Sequence, residues 1–295
     1  MNKKVEYIAG IDTLEITSTT FTEQAFDFFT HDTSRIVQRD ALAEPKYKYR
    51  TNPDKTFYDT STIDGYEAAL SHIMEVSKLQ NCVKTRIDFR FDDYCNPYED
   101  LYKINKLLLL LVAERYDIKN KYQSIDLESA KLKTLRIQNK YLEMECYDKA
   151  EEENGSLIKC RLELRAKALY DDEDEQNKER RELENWLKRL EQITDRKQGT
   201  FTALIDRLNS HLMERYKEHT DRGQINSTSE FITKYADFIF TTPQLVDLYS
   251  RLGYNNPKVS ASKYKRTHKI EFYSLKELRN YVNQIRKAAV KFLEE

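Results

Sequence analysis

Three short stretches of the sequence carry residues that together could cut a phosphodiester bond. Residues 83–92 place Asp88 and Asp92 on one face of an alternating run, and residues 142–149 place Glu143, Glu145, Tyr147 and Lys149 on one face of a second. Residues 158–165 place Arg161, Glu163 and Arg165 on one face of a third. Hard carboxylate oxygens suit Mg²⁺ or Mn²⁺, and either ion polarises a phosphoryl oxygen. A tyrosine hydroxyl, with an ordinary pKa of about 10, needs a base, a cation or a metal beside it before it attacks phosphorus. Lys149 follows Tyr147 on the same face, and Arg161 or Arg165 would neutralise the phosphate. The expected metal ligands are therefore Asp88, Asp92, Glu145 and Glu163, and the expected catalytic groups are Tyr147, Lys149 and Arg161. The same residues also read as solvated cross-strand ion pairs worth ~0–1 kcal/mol each, and both readings stand at this point.

The elements that must position these groups follow from periodicity. Residues 7–18, with Ile8, Ile11, Leu14 and Ile16, read as a first strand. Residues 66–79 place Ala69, Leu70, Ile73, Met74 and Val76 at helical spacing after Asp64 as N-cap. Residues 83–92 alternate strictly, with Val83, Thr85, Ile87, Phe89 and Phe91 opposite Lys84, Arg86, Asp88, Arg90 and Asp92, which predicts a sheet with one dry and one wet face. A helix follows, with Tyr98, Leu101, Ile104, Leu108 and Leu111 as its stripe. Leu135 and Ile137 run in opposite phase to Leu142, Met144 and Cys146, which predicts one strand with a bulge near Asn139. Asn154-Gly155 then reads as the hairpin turn into residues 158–165. The run Lys46-Tyr47-Lys48-Tyr49-Arg50 suits an amphipathic edge strand and, less directly, a platform for single-stranded nucleic acid.

From residue 170 the pattern is helical almost to the end. An acidic run, Asp171 to Glu175, opens a helix with Leu183, Trp186, Leu187, Leu190 and Ile193 as its stripe, and Leu204, Ile205, Leu208 and Leu212 mark a second helix after Gly199. Residues 228–240 are a third helical stretch. Pro243 and Gly253 bracket a short helix, a basic segment spans 258–269, Ile270 and Phe272 read as a short strand, and the capping box Ser274-x-x-Glu277 opens a last helix. The fold class is thus α+β: a sheet domain over 1–169, a helical region over 170–240, and a basic helix-turn-helix-like module over 241–295. Lys258, Lys263, Lys265, Arg266 and Lys269 are the expected DNA contacts.

Composition limits the alternatives. The chain has 295 residues, 49 basic and 50 acidic, so a uniformly cationic polymer binder is excluded and any nucleic-acid surface must be a local patch. Residues 241–295 hold 11 Lys and Arg against 5 Asp and Glu, whereas 171–195 hold 5 against 10. The four cysteines form no CxxC pair and indicate a reducing cytoplasm, and the five histidines form no His-x-His pair. The longest apolar run, residues 107–113, falls short of the ~20 needed to span a bilayer, and no hydrophobic leader follows the first residues. With no GxGxxG or P-loop, nucleotide cofactors lack support.

At these strands the sequence resembles the Rep-trans replication-initiation-factor family, which starts rolling-circle replication of plasmids and mobile elements. The resemblance rests on Ile11-Asp12-x-Leu14-x-Ile16-Thr17, Thr85-Arg86-Ile87-Asp88-x-x-x-Asp92-Asp93, Glu145-Cys146-Tyr147-Asp148-Lys149 and Arg161-Leu162-Glu163-Leu164-Arg165, in that order, and covers residues 8–169. It implies a metal-dependent nickase and strand transferase in which Tyr147 attacks one strand of origin DNA and holds its 5′ end as a phosphotyrosine. Lys149, Asp88, Asp92, Arg161 and Glu163 then take the family's accompanying positions. Origin DNA, a host helicase and a second copy of the chain are the implied partners. The family's Gly-Ser-Arg turn before the tyrosine strand is replaced by residues 136–140 without glycine, which makes Tyr141 a second candidate nucleophile. Two other functions remain open on the sequence: a non-catalytic origin-binding initiator, and an interaction protein using the acidic helix of 171–195.

Overall fold

A computed structural model describes residues 6–27, 29, 36–37, 46–53, 60–118, 134–152, 156–167, 177–195, 199–269 and 272–294. The chain is α+β and divides into two units, one of Met1–Tyr98, Lys119–Lys188 and Asn283–Glu295, the other of Glu99–Ile118 and Arg189–Val282. The first unit is built on a seven-stranded sheet in the order β2-β3-β1-β4-β7-β6-β5. Its strands are β1 (Tyr7–Ser18), β2 (Ile36–Val37), β3 (Lys46–Thr51), β4 (Val83–Asp93), β5 (Thr134–Gln138), β6 (Leu142–Tyr147) and β7 (Cys160–Lys167), and every pairing is antiparallel.

One face of this sheet is the apolar core. Ile87, Phe89 and Phe91 of β4 and Leu162 and Leu164 of β7 are buried there, as the alternation requires. In β1 the core residues are Ile11, Leu14 and Ile16, whose spacing breaks period two because the register slips between Ile11 and Thr13. That bulge moves the inward phase by one residue and sends Asp12 to the polar face, where it pairs with Arg161. Ile8, on the polar face, is 44% exposed.

The polar face is not wet. Asp88, Arg90, Asp92, Arg161 and Glu163 are all buried, which corrects the expectation of one dry and one solvated face. Gly10 helps to make this cover possible. A Cβ there would lie 2.9 Å from both Arg90 Nη2 and the Thr60 carbonyl oxygen. Gly10→Ala should therefore cost about 1–3 kcal/mol, the usual cost of overpacking, read as a lower urea midpoint. An unchanged midpoint would show that the Thr60 segment yields freely.

Two local expectations change. Residues 135–147 form not a bulged strand but a hairpin: Asn139 N–H donates to the Leu142 carbonyl, and Asn139 Oδ1 accepts from the N–H groups of Tyr141 and Leu142. The reversal of phase at Asn139 was thus a chain reversal, with an Asx turn in place of glycine. Between β6 and β7 stands a single helical turn, Lys149–Glu152, and Asn154-Gly155 falls outside the described residues. The Asp171 to Glu175 run also lies outside them.

The helices are α1 (Ile63–Ser77), α2 (Tyr98–Arg115), α3 (Lys149–Glu152), α4 (Lys178–Ile193), α5 (Thr200–Asp221), α6 (Thr228–Lys234), α7 (Thr242–Arg251), α8 (Pro257–His268) and α9 (Leu275–Glu294). The N-cap of α1 is Thr62, whose hydroxyl accepts from Gly65 N–H, rather than Asp64. In the second unit Phe231, Ile232, Leu245, Leu248, Ala261 and Tyr264 share one hydrophobic cluster, which fixes α6, α7 and α8. Gly253, at φ 78°, ends α7, and Asn256-Pro257 starts α8. The basic segment is therefore itself a helix, and Phe272 lies in no strand. The capping box forms as read: Ser274 Oγ accepts from Glu277 N–H, and Glu277 Oε2 accepts from Ser274 N–H.

Candidate active site and DNA-binding helix

The cross-strand register explains how the polar residues meet. Asp92 of β4 stands opposite Arg161 of β7, which stands opposite Tyr147 of β6. One pleat along, Arg90 stands opposite Glu163, and Glu163 opposite Glu145. One further, Asp88 stands opposite Arg165, and Arg165 opposite Glu143. The three sequence blocks therefore do share one surface, in rows that mix arginine with carboxylates.

Ion pairs within and between the rows tie the layer together. Arg161 donates from Nε to Asp92 Oδ1 at 2.6 Å and from Nη2 to Asp92 Oδ2 at 2.9 Å, and Nη1 reaches Asp12. Arg165 is the hub of the neighbouring rows, with Nε 3.2 Å from Asp88, Nη2 2.7 Å from Glu145, and further contacts to Glu163 and Glu143. Burial lowers the proton affinity of both guanidinium groups, but their carboxylate partners outweigh it and push both pKa values upward, so both stay charged. At the far end of the face Lys48 and Arg50 pair with Glu15, at 2.6 and 3.0 Å. That commits Lys48 and Arg50 to the sheet, and Tyr49 is buried with its hydroxyl donating to the Thr20 carbonyl, so the run is a strand and not a free stacking platform.

Tyr147 lies within this layer, 9% exposed, and its hydroxyl donates to Glu163 Oε1 at 2.6 Å. Burial and the adjacent Glu163 charge push its pKa upward, so the phenol is protonated at rest. Burial also pushes the Glu163 carboxyl above the usual carboxylate range, although Arg165 opposes it. A carboxylate raised in this way is a better proton acceptor. Lys149 Nζ sits 5.6 Å from the Tyr147 ring centre and pairs with Glu152 at 2.6 Å. The second candidate, Tyr141, is 45% exposed on the β5–β6 turn, with Lys140 Nζ 5.3 Å from its ring.

The expected metal ligands do not assemble as a cation site. Asp92 belongs to Arg161 and Arg90, while Asp88, Glu145 and Glu163 converge on the Arg165 guanidinium. Among the described residues no group of three His, Cys, Asp or Glu side chains is placed to hold a metal ion. This donor set, already neutralised by arginine, does not fit Mg²⁺ or Mn²⁺, whose ligands must approach to ~2.0–2.1 Å in the case of magnesium. Glu143 and Arg165, read from the sequence as part of the polar face, belong to the layer, and so does Asp12, which sequence reasoning did not put in the site. The signal for Asp12 was the irregular spacing of Ile8, Ile11 and Leu14.

In the second unit α7 and α8 follow each other across the turn at 252–256 and enclose a groove of about 1260 Å³ lined in part by Pro243, Val246, Lys258, Ser262 and Arg266. Lys258, Lys263, Arg266 and Lys269 are exposed on or just beyond α8. Lys265 is turned inward: its Nζ donates to Thr242 Oγ1 at 3.0 Å and lies 5.3 Å from the Phe272 ring. Val259, on the first turn of α8, is 67% exposed.

No protein-family model matches the chain, and no curated protein is significantly similar to it. Among solved structures it is similar to the rolling circle replication initiator protein from Geobacillus stearothermophilus, at 12% identity, over 56% of this chain and 75% of that one, with a TM-score of 0.28. A likeness at that level fixes no correspondence between residues. No described helix is long and apolar enough to cross a membrane.

Proposed function

We propose that the protein initiates replication by cutting one DNA strand with Tyr147 and holding the 5′ end as a phosphotyrosine. The observation that carries this reading is the 2.6 Å hydrogen bond from Tyr147 to Glu163, which pairs a phenol with a base in a buried, arginine-rich layer. The DNA substrate comes from the sequence blocks that resemble the Rep-trans initiators. In the reaction the Tyr147 proton passes to Glu163 as the Tyr147 oxygen bonds to phosphorus. The bond from phosphorus to O3′ breaks, and the leaving oxygen takes a proton from the Lys149 ammonium. Arg161 stabilises the charge that builds on the phosphoryl oxygens. The new ester retains the energy of the broken bond, so rejoining requires no ATP. Exposed cations of α8 hold duplex DNA.

The test is incubation with supercoiled DNA of the replicon that encodes the protein, with and without Mn²⁺, followed by denaturing electrophoresis for a protein–DNA adduct. Wild type and Tyr141→Phe should form the adduct, and Tyr147→Phe should form none. An adduct of undiminished yield in Tyr147→Phe would end the proposal. One observation favours a second reading, a non-catalytic origin binder: Tyr147 is largely covered, and the layer around it is charge-neutralised. Salt-sensitive duplex binding through α8, without any adduct from wild type, would select it.

A further inference from the structure

The outer side of α8 carries more than a grip on phosphate requires. Ala261 and Tyr264 turn into the hydrophobic cluster shared with α6 and α7, which holds the helix by its inner side. Val259, Ser262 and Arg266 are exposed, and their spacing of three and four residues stacks them along the opposite side. Val259 is 67% exposed, a branched apolar side chain kept in water on a cationic helix. Lys258 and Lys269 line the groove beside this stripe, whereas Lys263 is exposed outside the groove. Lys265 does not join them, because its bond to Thr242 Oγ1 ties α8 to the first turn of α7.

Charge and shape name the occupant. Lys258, Lys263, Arg266 and Lys269 make no ion pair with another described residue. Asp247 is the one carboxylate among the described residues lining the groove, and Arg251 and Asn209 each hold it at 2.6 Å. The surplus positive charge calls for a polyanion. An α-helix with its side chains is about 10–12 Å across, and the major groove of duplex DNA is about 12 Å wide. The stretch from Val259 to Arg266 extends about 10 Å, or about three base pairs. Phosphate contacts carry no sequence information, and lysines alone would serve them. The stripe instead offers the chemistry of base edges: a guanidinium fork for O6 and N7 of guanine, a hydroxyl for a donor or an acceptor, and methyl groups for the methyl of thymine.

We propose that α8 lies in the major groove of duplex DNA and reads its sequence through Val259, Ser262 and Arg266, with Lys258, Lys263 and Lys269 on the flanking phosphates. Lys265 is a positioning residue that sets α8 against α7. The assignment rests on the reading of the protein as a DNA initiator only in taking α8 to meet duplex DNA, and it does not depend on cleavage by Tyr147.

The test begins with the full chain and a library of duplexes carrying twenty random base pairs, from which bound members are recovered and sequenced at two salt concentrations. A shared sequence containing guanine should emerge, and Tyr147→Phe should select the same one. Arg266→Lys keeps the charge but loses the fork, so it should weaken the selected duplex about tenfold or more and a scrambled duplex by less than about twofold. Lys269→Ala should weaken both duplexes alike and reduce the salt slope by about one. Salt-sensitive binding without a shared sequence would reduce α8 to a phosphate grip and overturn the proposal, as would equal weakening of both duplexes by Arg266→Lys. Absence of duplex binding at low salt would overturn it too, and would remove α8 from the initiator reading while the Tyr147 adduct still decides cleavage.

Discussion

Arg161→Met should lower folding stability by about 3–5 kcal/mol, the usual cost of removing one partner from a buried ion pair. Asp92 is 0% exposed and accepts two hydrogen bonds from Arg161, and Asp12 pairs with the same guanidinium. Without Arg161, two carboxylates remain under the protein's cover, with Arg90 the cation left to serve Asp92 among the described residues. Methionine fills much of the volume but donates no hydrogen bond. The measurement is urea denaturation of wild type, Arg161→Met, Asp92→Asn and the double variant. The double variant should cost clearly less than the sum of the singles, since neutralising Asp92 removes most of the penalty that the lost arginine exposes. A loss below about 1 kcal/mol for Arg161→Met, the range of a solvated pair, would mean that water reaches this layer and that the sheet is held by its apolar face alone.

Lys106→Met should do the opposite and stabilise the fold at neutral pH. Its ammonium is buried without an acceptor among the described residues, and its pKa falls from lysine's ordinary 10.5 to about 8. At ~1.4 kcal/mol per pH unit, that difference corresponds to about 3 kcal/mol of destabilisation at pH 7. Between about pH 8 and 10.5 the unfolded chain binds more protons at this lysine than the folded chain does, so stability rises with pH through that window as the penalty fades. The variant should be the more stable protein at pH 7, and its advantage should shrink as pH rises towards 10.5. An advantage that stays constant with pH would mean that the amine is already solvated.

Much of the sheet was legible because alternation is a local property. Ile87, Phe89 and Phe91 against Asp88, Arg90 and Asp92 fix both the strand and its two faces, and hydrophobic patterning leaves a strand little freedom of register. The stripe of Leu183, Trp186, Leu190 and Ile193 and the Ser274–Glu277 box were equally plain, since helical spacing and capping act within a turn or two. The hairpin at Asn139 was misread because a chain reversal and a bulge both invert phase, and without glycine the Asx turn gave no separate signal. Lys106 could have been suspected from the run at 107–113, whose apolar residues pass all the way round the helix and so leave no wet azimuth for their neighbour.

The sequence by itself determined which side chains of β4, β6 and β7 share the polar face, because β periodicity assigns each residue to one side of its strand before any partner is known. It also determined that the last stretch carries the surplus of positive charge. Only the tertiary structure decided what those groups do to each other. Strand order placed β7 between β4 and β6, and this made Arg165, rather than a metal ion, the centre on which Asp88, Glu145 and Glu163 converge. It also brought Tyr147 to Glu163 and buried both. Neighbours and solvent cover depend on contacts between segments far apart in the chain, and those contacts exist only once the sheet has closed.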